Sequence, residues 1–358
     1  MWRRGAAAWL VILIGCGDDA GSTSATSSST AGETTGAATT GSASTSGGGT
    51  GGSACDESGQ VDASPPIGTW TDLAPLAGGA RQETAVVALG GKIYLLGGFT
   101  LGGLSAAVEI YDPTTDTWSD APPLPTEMHH ANAAVVGDTL YVLGFLETGA
   151  FLANGAGFAY TEASGVWTPV AAMPAGTERG SGATAVVGSK VVVAGGFRGG
   201  AVADASIYDP ATDTWETLPA LPVARDHGAG ASYGGIFYAI GGRMTDIGAF
   251  EPAVFAFDPA VGMWCAKEPL PTPRGGIAAA VVGDRIVVVG GEGSSGENGV
   301  FTEVEAFEPA TNTWFTLTPL SVGRHGTGAA TIDGVFYLPG GADQEAFGAV
   351  ATVSKLTL

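Results

Sequence analysis

The chain is written in short apolar runs separated by pairs of glycine or aspartate, and the runs are too short for helices. Residues 84–89 (Thr-Ala-Val-Val-Ala-Leu), then Gly90-Gly91, then residues 92–96 (Lys-Ile-Tyr-Leu-Leu) predict strand, turn, strand. Such pairs supply the positive φ angles that a two-residue hairpin needs. The second run ends at Gly97-Gly98, where a side chain would obstruct close packing. A third run carries an aromatic residue into a turn, as in Ile110-Tyr111-Asp112-Pro113 and Ile207-Tyr208-Asp209-Pro210. Proline stops the ladder there, and Asp or Thr shapes the turn. A fourth strand begins at a tryptophan.

The unit recurs along the chain. Tryptophan returns at Trp70, Trp118, Trp167, Trp215, Trp264 and Trp314, in steps of 48, 49, 48, 49 and 50. Glycine pairs keep the same clock at Gly97-Gly98, Gly195-Gly196, Gly241-Gly242, Gly290-Gly291 and Gly340-Gly341, with Gly144-Phe145 as a degraded copy. A period near 50 with glycine pairs predicts a propeller of four-stranded blades. Trp70 opens a fourth strand with no first three before it, and the last copy, 325–358, has three strands and no fourth. The N-terminal strand is therefore expected to complete the last blade and pair both exposed edges.

Glycine pair, spaced Tyr, Asp-Pro-x-Thr-x-x-Trp and a Pro-Leu-Pro-x-x-Arg run together resemble Kelch repeats, over residues 68–358. The resemblance implies an all-β fold, a six-bladed Kelch-type β-propeller whose last blade is closed by the N-terminal strand. The second copy departs from the pattern at Gly144-Phe145 and Tyr160-Thr161-Glu162.

Before the repeats, the pattern changes twice. Met1-Trp2-Arg3-Arg4, an apolar stretch to Ile14 and then Gly15-Cys16 form a signal peptide too short to span a bilayer. This start resembles bacterial lipoproteins, which implies lipidation of Cys16 and a membrane anchor. From 20 to 54 every residue except Glu33 is Ala, Gly, Ser or Thr, which leaves nothing to bury. The expected organisation is a signal peptide at 1–15, a disordered Gly/Ser/Thr-rich tether at 16–60 and the propeller at 61–358. The expected location is the bacterial cell envelope, at the outer membrane on its periplasmic side or the cell surface, because Gly17 offers no acidic retention signal.

Charge narrows the partners. The formal balance is −21, and cleavage that removes Arg3 and Arg4 makes it −23. With no basic stripe, nucleic acid is excluded and the membrane is reached through the lipid alone. In an oxidising compartment Cys55 and Cys265 are candidates for a disulfide, the alternative being two free thiols.

Candidate chemistry lies on one face. Alternate loops share a side of the ring, and those after the glycine pairs differ in every copy: 99–107, 146–158, 198–205, 243–254, 292–304 and 342–350. Variable loops on a rigid scaffold are where function usually lives. Arg81, Arg179, Arg225, Arg274 and Arg324 reach that face in one register, each sixteen residues before a glycine pair. They read either as a cationic ring for carboxylates or as blade-building residues that satisfy backbone carbonyls. His130 and His227 share a register at fourteen, while His129 and His325 stand at fifteen. Successive strand residues point oppositely, so the histidines are expected as polar lining, with no metal and no cofactor. Carboxylates such as Glu83, Glu127 and Glu178 leave open an alternative, a carbohydrate-active Kelch enzyme resembling sialic-acid mutarotases. The reading favoured by the sequence is a monomeric, lipid-anchored binding protein for a protein or glycan, not an enzyme.

Overall fold

Each apolar run finds its partner across the turn next to it. Ala85–Leu89 pairs antiparallel with Lys92–Leu96, and Gly90 and Gly91 between them take φ angles of 59° and 76°, as the tight turn requires. Val108–Asp112 and Thr117–Ala121 complete the sheet. In the turn joining them, the Asp112 carboxylate accepts from the Thr114 backbone N–H at 2.8 Å, and Asp116 takes the left-handed conformation.

In the computed structural model, which describes residues 59–358, this unit is built six times as four-stranded antiparallel sheets. The first strands line the axis and touch their neighbours in a closed circle, with Ala330–Ile332 packed back against Ala85–Leu89. Small residues there are a steric demand. A Cβ on Gly230 would stand 2.3 Å from the Thr184 nitrogen, and one on Gly328 would stand 2.9 Å from that of Val86. The core lies between blades: Leu96 and Val108 of the first pack with Leu140, Val142 and Phe145 of the second.

Closure follows the expected route. Strand β1 (Gln60–Ile67) is followed by β2 (Thr69–Leu73), and β2 pairs antiparallel with Val353–Thr357 to supply the fourth strand of the sixth blade. The extra strand β1 runs parallel to Thr313–Leu317 and widens the fifth blade to five strands. The sequence expectations at 1–15, at Cys16, over the tether to residue 58 and at Cys55 fall outside the described residues. Cys265 is disulfide-bonded.

Each of the six repeat tryptophans reaches the blade before it. The indole N–H of Trp118, Trp167, Trp215, Trp264, Trp314 and Trp70 donates to the carbonyl of Ala74, Pro122, Ala171, Pro219, Glu268 and Thr318 in turn, at 2.7–3.0 Å. Tryptophans of the first, third and fifth blades have a neighbour that grips the same residue again. There the side-chain oxygens of Asp116, Asp213 and Asn312 accept from the N–H of Ala74, Ala171 and Glu268.

Candidate functional site

One register, fourteen residues before each glycine pair, sets the mouth of the channel. Glu83, His130, Ser181, His227, Gly276 and Gly326 occupy it, and all six have φ between 51° and 70°. Each backbone N–H donates to the carbonyl of the corresponding residue in the preceding blade: His130 to Glu83 (3.0 Å), Ser181 to His130 (2.8 Å), His227 to Ser181 (3.3 Å), Gly276 to His227 (2.8 Å), Gly326 to Gly276 (3.2 Å), and Glu83 to Gly326. The result is a closed circle of backbone hydrogen bonds about the axis. It borders a cavity of about 180 Å³ that small first-strand residues line below. Four of the six are not glycine, and the left-handed conformation costs each roughly 1 kcal/mol.

That geometry corrects the expectation that histidines of two registers point apart and cannot converge. The residue at fourteen is left-handed, so strand alternation breaks there and both registers reach the mouth. His130 Nε2 lies 2.9 Å from His227 Nε2 and 2.8 Å from Glu83 Oε2. His129 Nδ1 contacts His130 Nδ1 at 2.5 Å, and His129 Nε2 donates to the Thr148 carbonyl. His227 Nδ1 donates to Asp226 at 2.6 Å. Arg243 holds Asp226 at 3.3 Å, reaches His227 Nε2 at 3.1 Å and binds Glu292. His325 donates from Nε2 to the Gln344 carbonyl and turns Nδ1 toward Glu83 and Glu292, at 3.7 and 3.5 Å.

Electrostatics follow from burial and proximity. Burial by itself would raise the Glu83 carboxyl, but His130, His325 and His227 outweigh it and hold that group well below the usual carboxylate range. Burial, reinforced by His130, holds His129 down to about 3. Burial and the Arg243 charge push His227 down as well. Of the three candidate carboxylates only Glu83 reaches the axis; Glu127 is exposed, and Glu178 accepts from the Gly176 N–H in its own loop.

The five arginines stand elsewhere, inside the ring wall. Arg81, Arg179, Arg225, Arg274 and Arg324 are buried, and each guanidinium donates to backbone carbonyls of its own blade. Arg179 serves Gly195, Thr177 and Val193; Arg324 serves Leu338 and Thr352. Arg81 and Arg274 also pair with Glu109 and Glu305. Burial lowers the pKa of Arg81, Arg179, Arg225 and Arg324 to about 10. Their place corrects the cationic-ring expectation: side chains buried in the wall and bound to main-chain carbonyls of their own blades do not present a ring of cations at the mouth, and the blade-building alternative describes them.

Over the mouth, the variable loops carry aromatics that sequence reasoning missed. Phe99, Phe151, Phe197, Phe250, Phe301 and Phe347 come one from each loop region. Phe99 contacts Phe151 and Phe347, Phe151 contacts Phe197, and Phe250 contacts Phe301, with centroids 5.6–6.2 Å apart. Asp226, Arg243 and Glu292 were missed too. The available signal was positional, since each stands one residue after an arginine or a glycine pair, where a bridge joins positions seventeen apart in all six blades.

The Kelch motif matches residues 80–125, 178–222 and 273–321, which are the first, third and fifth blades. The chain carries Kelch motifs. The three matched blades are those with the Asp116, Asp213 or Asn312 grip; the other three have Gly165, Gly262 and Gly68 two residues before their tryptophan. The chain is similar to the Kelch-like protein terF of Aspergillus terreus, at 37% identity over 230 residues, 60% of this chain and 50% of that one. It is also similar to Kelch-like protein 36 of Bos taurus, at 28% over 191 residues, 52% of this chain and 31% of that one. It thus spans half or less of these relatives' length. Among solved structures, that of YjhT shares the fold with a TM-score of 0.66 at 18% identity, covering 80% of this chain and 97% of that one.

Proposed function

We propose that this chain is an envelope protein, lipid-anchored through Cys16, whose propeller binds a protein partner on its variable-loop face. A propeller carrying Kelch motifs supports an interaction role. The observation that favours a protein ligand is that the two most exposed large apolar side chains among the described residues, Leu101 at 95% and Phe347 at 62%, stand on those loops, where Leu152, Met244 and Ile247 are exposed too. Exposed apolar groups gathered on one face mark interaction surfaces. The rival reading, recognition of an acidic sugar, drew on the arginine register, whose side chains are committed inside the wall.

The test is retention of envelope proteins by the immobilised full chain and by a Leu101→Asp/Met244→Asp/Phe347→Asp variant, quantified by mass spectrometry. The expected result is loss of the retained partner at an unchanged melting temperature. Equal recovery of the same proteins by both chains defeats the reading.

A further inference from the structure

The mouth holds more buried negative charge than its arginine neutralises. Glu83, Asp226 and Glu292 are 8%, 1% and 2% exposed, against one guanidinium, that of Arg243. Arg243 is engaged with Asp226 and Glu292, so Glu83 faces imidazoles alone.

Hydrogen-bond roles fix where lone pairs point. The Thr148 carbonyl only accepts, so His129 Nε2 carries a proton and His129 Nδ1 accepts from His130 Nδ1. The Asp226 carboxylate accepts from His227 Nδ1, and Arg243 only donates, so His227 Nε2 carries a lone pair, which accepts from Arg243 at 3.1 Å and would turn from that guanidinium to an ion. Glu83 Oε2 presents another. His130 Nε2, whose ring proton is on Nδ1, faces both at 2.8 and 2.9 Å. Three electron-pair donors from three blades therefore converge, and all lie within 4.8 Å of one another. A proton on His130 Nε2 can bridge to one of the other two donors. A cation can satisfy all three.

We propose that Glu83 Oε2, His130 Nε2 and His227 Nε2 form a binding site for a divalent transition-metal ion, zinc foremost. Two imidazoles and a carboxylate suit zinc and its neighbours better than calcium or magnesium, which prefer all-oxygen shells. Tetrahedral ligands with bonds of about 2.0–2.1 Å stand about 3.3 Å apart, so the two nitrogens need only spread slightly to admit the ion. Asp226 orients His227 through its far ring nitrogen, and Arg243 orients Asp226. This is the outer-shell arrangement that metal-binding histidines require. A separate observation points to the same place. His325, 1% exposed, aims its Nδ1 at Glu83 and Glu292, and that atom has no hydrogen-bond partner. It lies 3.7 Å from the other oxygen of Glu83 and is not one of the three converging donors, and the cavity of about 180 Å³ leaves room for water as the fourth ligand.

The test uses the full chain, stripped by chelator and dialysed. Zinc alone is titrated by calorimetry, and cobalt alone is followed by its visible ligand-field absorption. One equivalent of each is expected, with the absorption of a nitrogen–oxygen site and a melting temperature that rises on zinc addition. The His130→Ala/His227→Ala variant is expected to lose both signals, and Glu83→Gln to weaken binding strongly. Asp226→Asn, which touches no ion, is expected to weaken it about tenfold to a hundredfold. Metal-free melting temperatures separate lost ligation from lost fold. Absence of heat and absorption at millimolar metal with the folded wild type overturns the proposal. So does undiminished binding by a folded double variant.

Discussion

Arg179 shows at a single residue how the wall tolerates a buried cation. Its guanidinium donates to three backbone carbonyls and, at 3.2 Å, to the Ser206 hydroxyl. Charge-assisted bonds of this sort contribute about 1.5–3 kcal/mol apiece. Arg179→Ala is expected to lower the free energy of unfolding by roughly 3 kcal/mol or more, read from urea denaturation. Arg179→Met should cost less, because Met128 fills the same register in the second blade and is fully buried there. Equal losses in the two variants would show that filling the space brings no benefit at this position. Asp213 carries a pH dependence of known sign. The Ala171 N–H, then the Tyr208 hydroxyl, holds its carboxyl below the ordinary value. Its stabilisation is present above the unfolded-state pKa, about 3.9, and is lost as pH falls through the lower folded value. Asp213→Asn, the residue type that blade five already uses as Asn312, should flatten the acid limb of a stability-against-pH curve. An unchanged acid limb would mean the carboxylate does not contribute.

At the scale of the element, the second blade departs most from its fellows. Phe145 stands where the others have their second glycine, and the strand continues: Thr139–Glu147 pairs with Leu152–Thr161 through a bulge between Leu143 and Phe145. Phe145→Gly restores the repeat pattern, yet it empties a fully buried site. It is expected to cost about 3–5 kcal/mol, measured by chemical denaturation. The hairpins, the four-strand blade and the closing role of Trp70 were all legible in the sequence, because turn pairs and the tryptophan spacing report local geometry repeated six times. The mouth was legible only in part. His130 and His227 were correctly placed in one register, but strand alternation was carried one residue too far, across a position that is left-handed in every blade. The arginine register was visible as a register. Its direction was not, since an arginine that binds its own backbone and one that faces a ligand leave the same trace in the chain.

Across the whole molecule, the repeat is a pair of blades. Trp118, Trp215 and Trp314 follow Asp or Asn two residues earlier and are 97 and 99 residues apart; Trp70, Trp167 and Trp264 follow Gly and are 97 and 97 apart. The ring therefore has approximate threefold symmetry, which the mouth breaks by placing its ligating side chains on the first, second and fourth blades. Removal of β2 leaves the sixth blade with three strands and an open edge. A chain beginning at residue 75 is expected to aggregate or elute as oligomers in size-exclusion chromatography, whereas one beginning at residue 68 should remain a single folded species. Monomeric behaviour of the shorter chain would remove closure from the account. Peptide mapping without reduction should find Cys55 joined to Cys265; recovery of Cys55 as a free thiol would reject that pairing.

The parallel strand β1 also has a mechanical meaning. It lies between everything upstream of residue 59 and the strand that closes the ring, and it lies on the fifth blade while β2 lies on the sixth. Once the disulfide at Cys265 is reduced, a pull along the chain from the N-terminal side loads the hydrogen bonds of β1 in shear first. The Thr318 backbone N–H and hydroxyl, bound to the carbonyls of Ile67 and Gly68, take the load next. Tension must thus break two adjoining blades in sequence before it can unlatch the circle, so the ring is guarded against force arriving from the end at which the chain would be moored.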